Sequence, residues 1–186
     1  AVSTYGDKLT NAEALENAVD FVIGRFRSMY QDQGIATEVI QSVSARNVTN
    51  PLDFSKRVHA VSEFKGLSQA GALAAANKRV ANILAKNSAA VNEAKLDANL
   101  LSDAAEVVLA DKIAQQQDVV AQAIVRKDYN AILTSLADLQ APVDAFFDNV
   151  MVMADDDALR TNRLALLSQL RELFLSTADI SVLATK

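Results

Sequence analysis

The stretch SQAGALAAANKRVANILAK, Ser68 to Lys86, decides the fold class. Leu73, Ala76, Val80, Ile83 and Leu84 recur in it at helical spacing, one apolar stripe of a 3.6-residue period. Alanine fills much of the rest, and alanine loses no side-chain entropy on entering a helix. Arg79, Asn82 and Lys86 stand at i, i+3 and i+7, so they share a face turned away from Val80, Ile83 and Leu84, and Lys78 borders it. The spacing predicts a helix with one face buried and the opposite face polar and cationic.

Reading outward, the same period continues. Gly66 closes a preceding helix that Pro51 opens, with Phe54, Val58, Val61 and Lys65 along one face. Before the polar run Asn47–Asn50, a short helix is expected from Thr37 to about Ala45. A first helix is expected to start at the capping-box pair Thr10 and Glu13, carry Leu15, Val19, Val22 and Phe26 as its stripe, and stop near Gly34. Downstream, residues 87–101 have weak periodicity and read as loop or ragged helix. Ser102 or Asp103 then caps a long helix to about Arg126, and Asp128 caps another that reaches Leu139. Pro142 opens the next, which contains Phe146 and Phe147.

Val150-Met151-Val152-Met153 is apolar at successive positions, so it is expected to be enclosed on several sides. Asp155, Asp156 and Asp157 follow where the positive end of a helix dipole favours carboxylates. A last helix runs to about Phe174 with Leu159, Leu166, Leu170 and Leu173 along one side. No strand-like alternation of useful length appears. The expectation is an all-α fold, a single domain over residues 1–186 built as a bundle of about six to eight helices.

Composition narrows the chemistry. Of the 186 residues 51% are hydrophobic, enough for a sizeable core, and only five Gly and two Pro interrupt helices. Cysteine is absent, so disulfides and thiolate metal sites are excluded and a reducing cytoplasm is permitted. No uncharged apolar run approaches the ~18 residues of a membrane span, and Ala1 to Lys8 lacks the features of a signal peptide. The missing initiator Met suggests a segment of a longer chain. The net charge of −5 argues against nucleic acid at first sight. Its distribution argues the other way. Between Arg46 and Lys95 stand eight Lys or Arg against three acids, while the remainder holds ten bases and twenty acids.

Catalytic signatures are missing. His59, the single histidine, lacks companions for a zinc site and reads as a helix-face residue or a minor RNA contact. The triple Asp can in principle bind a divalent cation, but adjacent helix residues diverge. The glycines form no phosphate-cradling GxxxxGK run, and no nucleophile with a histidine base is visible. Neither metal nor cofactor is expected in this domain.

Asp157-Ala158-Leu159-Arg160 is the four-letter signature of the DALR anticodon-binding domains of some aminoacyl-tRNA synthetases. With its surroundings, Phe146-Phe147-Asp148-Asn149-Val150-Met151-Val152-Met153, Leu159-Arg160-Thr161-Asn162-Arg163-Leu164 and Ala178-Asp179-Ile180-Ser181, it resembles the C-terminus of the glycyl-tRNA synthetase β-subunit family. The segments Asp53 to Val61 and Ala74 to Leu84 are similar to that family too, so the resemblance runs from about Tyr5 to Leu183. Arginyl-tRNA synthetases share the domain type, but Asn77-Lys78-Arg79 fits the glycyl family better.

The resemblance implies a C-terminal fragment of a cytoplasmic ligase that joins glycine to tRNA(Gly) using ATP and Mg2+. It implies two α and two β subunits, with aminoacylation on the α subunit and tRNA binding on β. It also implies partners in the α subunit and the remainder of β, and no membrane. The residues expected to meet tRNA are Arg57, Lys78, Arg79, Asn82, Lys86, Arg160, Asn162 and Arg163. Arg and Lys suit phosphates, and Asn offers a donor and an acceptor to an unstacked base. Other roles stand beside these: Arg160 and Arg163 can pair with Asp155 to Asp157, exposed Lys and Arg can simply solvate a helix, and Phe146-Phe147 can be core rather than a stacking platform. A helical module that docks the rest of the synthetase is the alternative function.

Overall fold

The computed structural model describes residues 11, 13–88 and 95–184. Among these the chain forms α1 (Ala14–Asp32), α2 (Thr37–Ser44), α3 (Pro51–Lys65), α4 (Ala70–Lys86), α5 (Ala104–Arg126), α6 (Tyr129–Leu136), α7 (Gln140–Asn149) and α8 (Asp157–Leu175). Short 3-10 turns stand at Ala98–Leu100, Ala137–Leu139 and Ile180–Leu183. No strand occurs among the described residues. The Thr10 cap and residues 89–94 of the expected ragged stretch lie outside them.

The helix ends follow local chemistry. Asn50 Oδ1 accepts from the Asp53 amide at 3.0 Å, and Pro51 occupies the first turn, where an amide hydrogen would have no partner. Asp103 and Glu106 close a reciprocal capping box at the start of α5. Asp128 caps α6 and Asp156 caps α8. Gly34 ends α1 at φ +81°, a conformation glycine adopts without steric cost. Lys127 ends α5 in the same left-handed region at φ 54° and does pay that cost.

Helix α8 is the centre of the bundle. Leu164, Ala165, Leu166, Leu167, Leu170, Leu173 and Phe174 are all buried, so the helix is enclosed on more than one side. It packs against α4, α5 and α6, and the chain end returns as Ile180–Leu183 to lie against α4 and α2. The Asp179 amide donates to the Ser42 carbonyl at 2.9 Å and fastens this return.

Two expectations are corrected. The run Val150 to Met153 is not enclosed all round. Val150 and Val152 are buried at 6% exposure each, while Met151 and Met153 stand 75% and 47% exposed. Val150 leaves α7 with extended backbone, φ −110° and ψ 120°, and extended chain sends alternate side chains to opposite sides. In α1 the core-facing residues are Ile23, Phe26 and Tyr30, and Val22 is exposed. The apolar residues of α1 cover more of its circumference than one partner surface can bury.

One buried carboxylate joins α5 to α8. Glu106 Oε2 accepts from the amides of Ser102 and Asp103 at 2.7 and 2.9 Å, and Oε1 accepts from Arg163 Nε. Burial alone pushes the Glu106 carboxyl up; the bond from Arg163, the two amides and the Arg163 charge more than reverse this, holding it below the ordinary carboxylate range. Glu106→Gln is expected to cost roughly 3 kcal/mol at neutral pH, measured by urea unfolding. Because the folded value is lowered, this contribution is complete above the ordinary carboxylate pKa and is lost as pH falls through the folded one. The gap between wild type and variant therefore closes below about pH 4; a gap constant from pH 7 to pH 3 would contradict the assignment. Lys127→Gly should raise stability by roughly 1 kcal/mol through relief of the left-handed backbone, read as an increase in Tm.

Candidate nucleic-acid interface

Helix α4 owes its orientation to Ala70, Leu73, Ala74, Asn77 and Val80, which are buried toward α8 and the C-terminal turn. Ala76, Ile83 and Leu84 of the expected stripe are partly buried beside them. Asn77 is a buried polar member of this face, and its Oδ1 accepts from Arg171 Nη1 at 2.8 Å. The opposite side rises as a ridge on which Lys78, Arg79, Asn82 and Lys86 are all exposed. Among the described residues no carboxylate stands within ion-pairing distance of Lys78, Arg79 or Lys86. Four of the eight residues expected to meet RNA are thus brought together, with their polar groups free.

The other four are committed inside the protein. Arg57 Nη1 donates to the carbonyls of Ser176 and Thr177 at 2.8 and 2.7 Å. Its Nε donates to Asp53 at 2.9 Å, and its guanidinium carbon lies 4.3 Å from the Tyr129 ring centroid. Arg160 binds the Ala154 carbonyl at 2.8 Å and the carboxylate of Asp157, so the first and last letters of the DALR signature bond to one another. Arg163 binds Glu106 and the Met151 carbonyl. Asn162, 3% exposed, accepts from the Asp97 amide at 2.7 Å and donates to the Asp97 carbonyl at 3.0 Å. The geometry gives these four an architectural role: each bonds backbone groups that leave regular helix.

Hollows flank the ridge. On the α7 side an open depression of ≈ 350 Å³ lies between α4 and α7, and Arg79 borders it with its guanidinium carbon 4.1 Å from the centroid of the Phe147 ring. On the α8 side a groove of ≈ 580 Å³ runs between Asn82 and Glu172, floored by Arg171. Arg171 is held by Asp179 at 2.9 Å, so it is not a free cation. Burial pushes the Asp179 carboxyl up, but bonds from Ser181 and the charge and bond of Arg171 bring it below its ordinary value. On α3, Lys56 and His59 line a cleft of ≈ 290 Å³ with Lys127. His59 is exposed and meets Tyr30 edge-on, with ring centroids 6.0 Å apart.

Among the described residues no group of three His, Asp or Glu side chains is placed to hold a metal ion. Of the triple Asp, Asp156 is spent on the amides of Ala158 and Leu159 at 2.8 and 3.0 Å. Sequence reasoning missed Arg171, Glu106 and the pairing of Arg79 with Phe147. Glu106 was readable, standing three residues after the Asp103 cap. Arg79 and Phe147 are joined only by the packing of α4 on α7, and no local pattern links them.

Comparison with known proteins follows this geometry. Residues 73–180 match the family described as the DALR anticodon binding domain. The chain is 56% identical over 185 residues to the glycine–tRNA ligase beta subunit of Alteromonas mediterranea, covering 99% of this chain and 27% of that protein. It is 54% identical over 183 residues to the protein of the same name in Serratia proteamaculans, and again 54% over 183 residues in Haemophilus influenzae, each covering 98% of this chain and 26% of the relative. The chain therefore spans about a quarter of the length of these relatives. With the family match extending from the buried side of α4 to the C-terminal turn, the chain belongs to the DALR anticodon-binding domain family.

Proposed function

We propose that this chain is the tRNA-binding part of a glycyl-tRNA synthetase β subunit and holds the unpaired anticodon loop of tRNA(Gly) along the α4 ridge. The observation that carries this is the cluster of three cations and one amide on α4, exposed and without ion-pair or hydrogen-bond partners among the described residues. The family description and the names of the relatives support the same reading. Lys78 and Lys86 are point charges suited to loop phosphates, and Asn82 presents a donor and an acceptor to a base edge. The glycine anticodon carries two cytosines, whose carbonyl and ring nitrogen accept hydrogen bonds. In this reading ATP- and Mg2+-dependent aminoacylation proceeds on the α subunit of an assembly of two α and two β subunits in the cytoplasm.

The test is a salt titration of tRNA(Gly) binding by the full-length synthetase. Lys78→Ala with Lys86→Ala should weaken binding and reduce the slope of log K against log salt by about 1.4, since each phosphate contact to single-stranded RNA contributes about 0.7. Circular dichroism should be unchanged, because both side chains are exposed. Unaltered affinity and slope in a filter-binding assay would remove the ridge from the RNA path.

A further inference from the structure

We infer that the depression between α4 and α7 takes up a single unpaired nucleobase, which lies against the ledge formed by Arg79 and Phe147; this rests on the reading of α4 as the RNA-facing ridge. The depression exists because α4 turns alanines toward α7. Ala72, Ala75 and Ala76 line it with methyl groups where longer side chains would fill it. These residues and Arg79 fall at i, i+3, i+4 and i+7, so they form one wall.

The ledge is rigid. The Phe147 ring meets Phe146 edge-on, with centroids 5.5 Å apart and planes at 75°, and Phe146 is fully buried. The Arg79 guanidinium lies over that ring, and its N–H groups have no hydrogen-bond partner among the described residues. A guanidinium placed over an aromatic ring offers both things a nucleobase needs: a planar group to stack on and N–H donors for its acceptors.

Charge decides between a base and a phosphate. Asp144 and Asp148, one turn apart on α7 and both exposed, border the same depression. Two carboxylates against one guanidinium leave it with excess negative charge, which repels a phosphate. The same carboxylates accept hydrogen bonds from the amino or ring N–H groups of a base edge. Arg79 therefore differs from Lys78 and Lys86: it meets a base while they meet the backbone.

The experiment uses the full-length synthetase and tRNA(Gly) transcripts with an abasic site placed in turn at each unpaired anticodon-loop nucleotide. Wild type should lose about 10-fold in affinity at one position, the scale of a base–aromatic stack. Ala75→Leu, at an exposed helical position, fills the depression and leaves every charge in place. It should bind intact tRNA about 10-fold more weakly, show no further loss at that abasic position, and keep the wild-type salt slope. Phe147→Leu, which keeps the apolar volume and removes the ring, should show the same pattern. Wild-type affinity in both variants overturns the base site, as does a weakened affinity with a flattened salt slope, which would make this a phosphate contact. Wild-type binding unaffected by an abasic site at any loop position likewise overturns the base site, because the phosphates are still present; the ridge itself fails only if Lys78→Ala with Lys86→Ala leaves affinity and salt slope unchanged.

Discussion

The bond between Glu106 and Arg163 is the contact on which the frame of the domain depends. Glu106 is 1% exposed, a burial that a carboxylate tolerates only with a cation and donors around it. It has both: Arg163 on one oxygen and the Ser102 and Asp103 amides on the other. One carboxylate thus satisfies two amides at the head of α5 and ties that helix to α8 through Arg163. Arg163 passes the constraint on to the Met151 carbonyl, and Arg160 does the same at the Ala154 carbonyl. The segment between α7 and α8 is not helical, and two of its carbonyls, those of Met151 and Ala154, accept from arginines of the helix it leads into. Asn162 serves the chain near Asp97 in the same way, from the same turns of α8.

This explains which parts of the site were legible in the sequence. Helix periods and caps depend on neighbours three or four residues away, and the ends of α3, α5, α6 and α8 fall where Asn50-Pro51, Asp103, Asp128 and Asp156 place them. The use to which an arginine is put depends on distant partners. Arg57 finds its acceptors at Ser176 and Thr177 across the fold, and nothing near it in the chain says so. Arg79 and Lys86 are cations like Arg57 and Arg163 but stand on the outward side of a helix whose inward side is already defined by Leu73 and Val80. The amphipathic stripe therefore separates free cations from committed ones on α4. It fails on α3 and α8, where Arg57 and Arg163 are half-buried at the margin of the core. The signature Asp157 to Arg160 belongs with these: its arginine bonds the Ala154 carbonyl and Asp157, and so holds the turn that leads into α8.

A net charge of −5 is compatible with an RNA-facing surface because the acids and bases are not distributed alike. Asp53, Glu106 and Asp179 are paired with Arg57, Arg163 and Arg171, so these six charges project little field beyond the protein. What remains outside is ordered across α4. Lys78 and Lys86 stand on the exposed ridge, Asp144 and Asp148 lie on the α7 flank, and Glu172 lies on the α8 flank. The crest of α4 therefore carries cations and its two flanks carry carboxylates, so the field changes sign across the width of one helix. The excess of acid over base, which first counted against nucleic acid, is thus held in internal ion pairs and on the flanks of α4, and leaves the crest of that helix cationic.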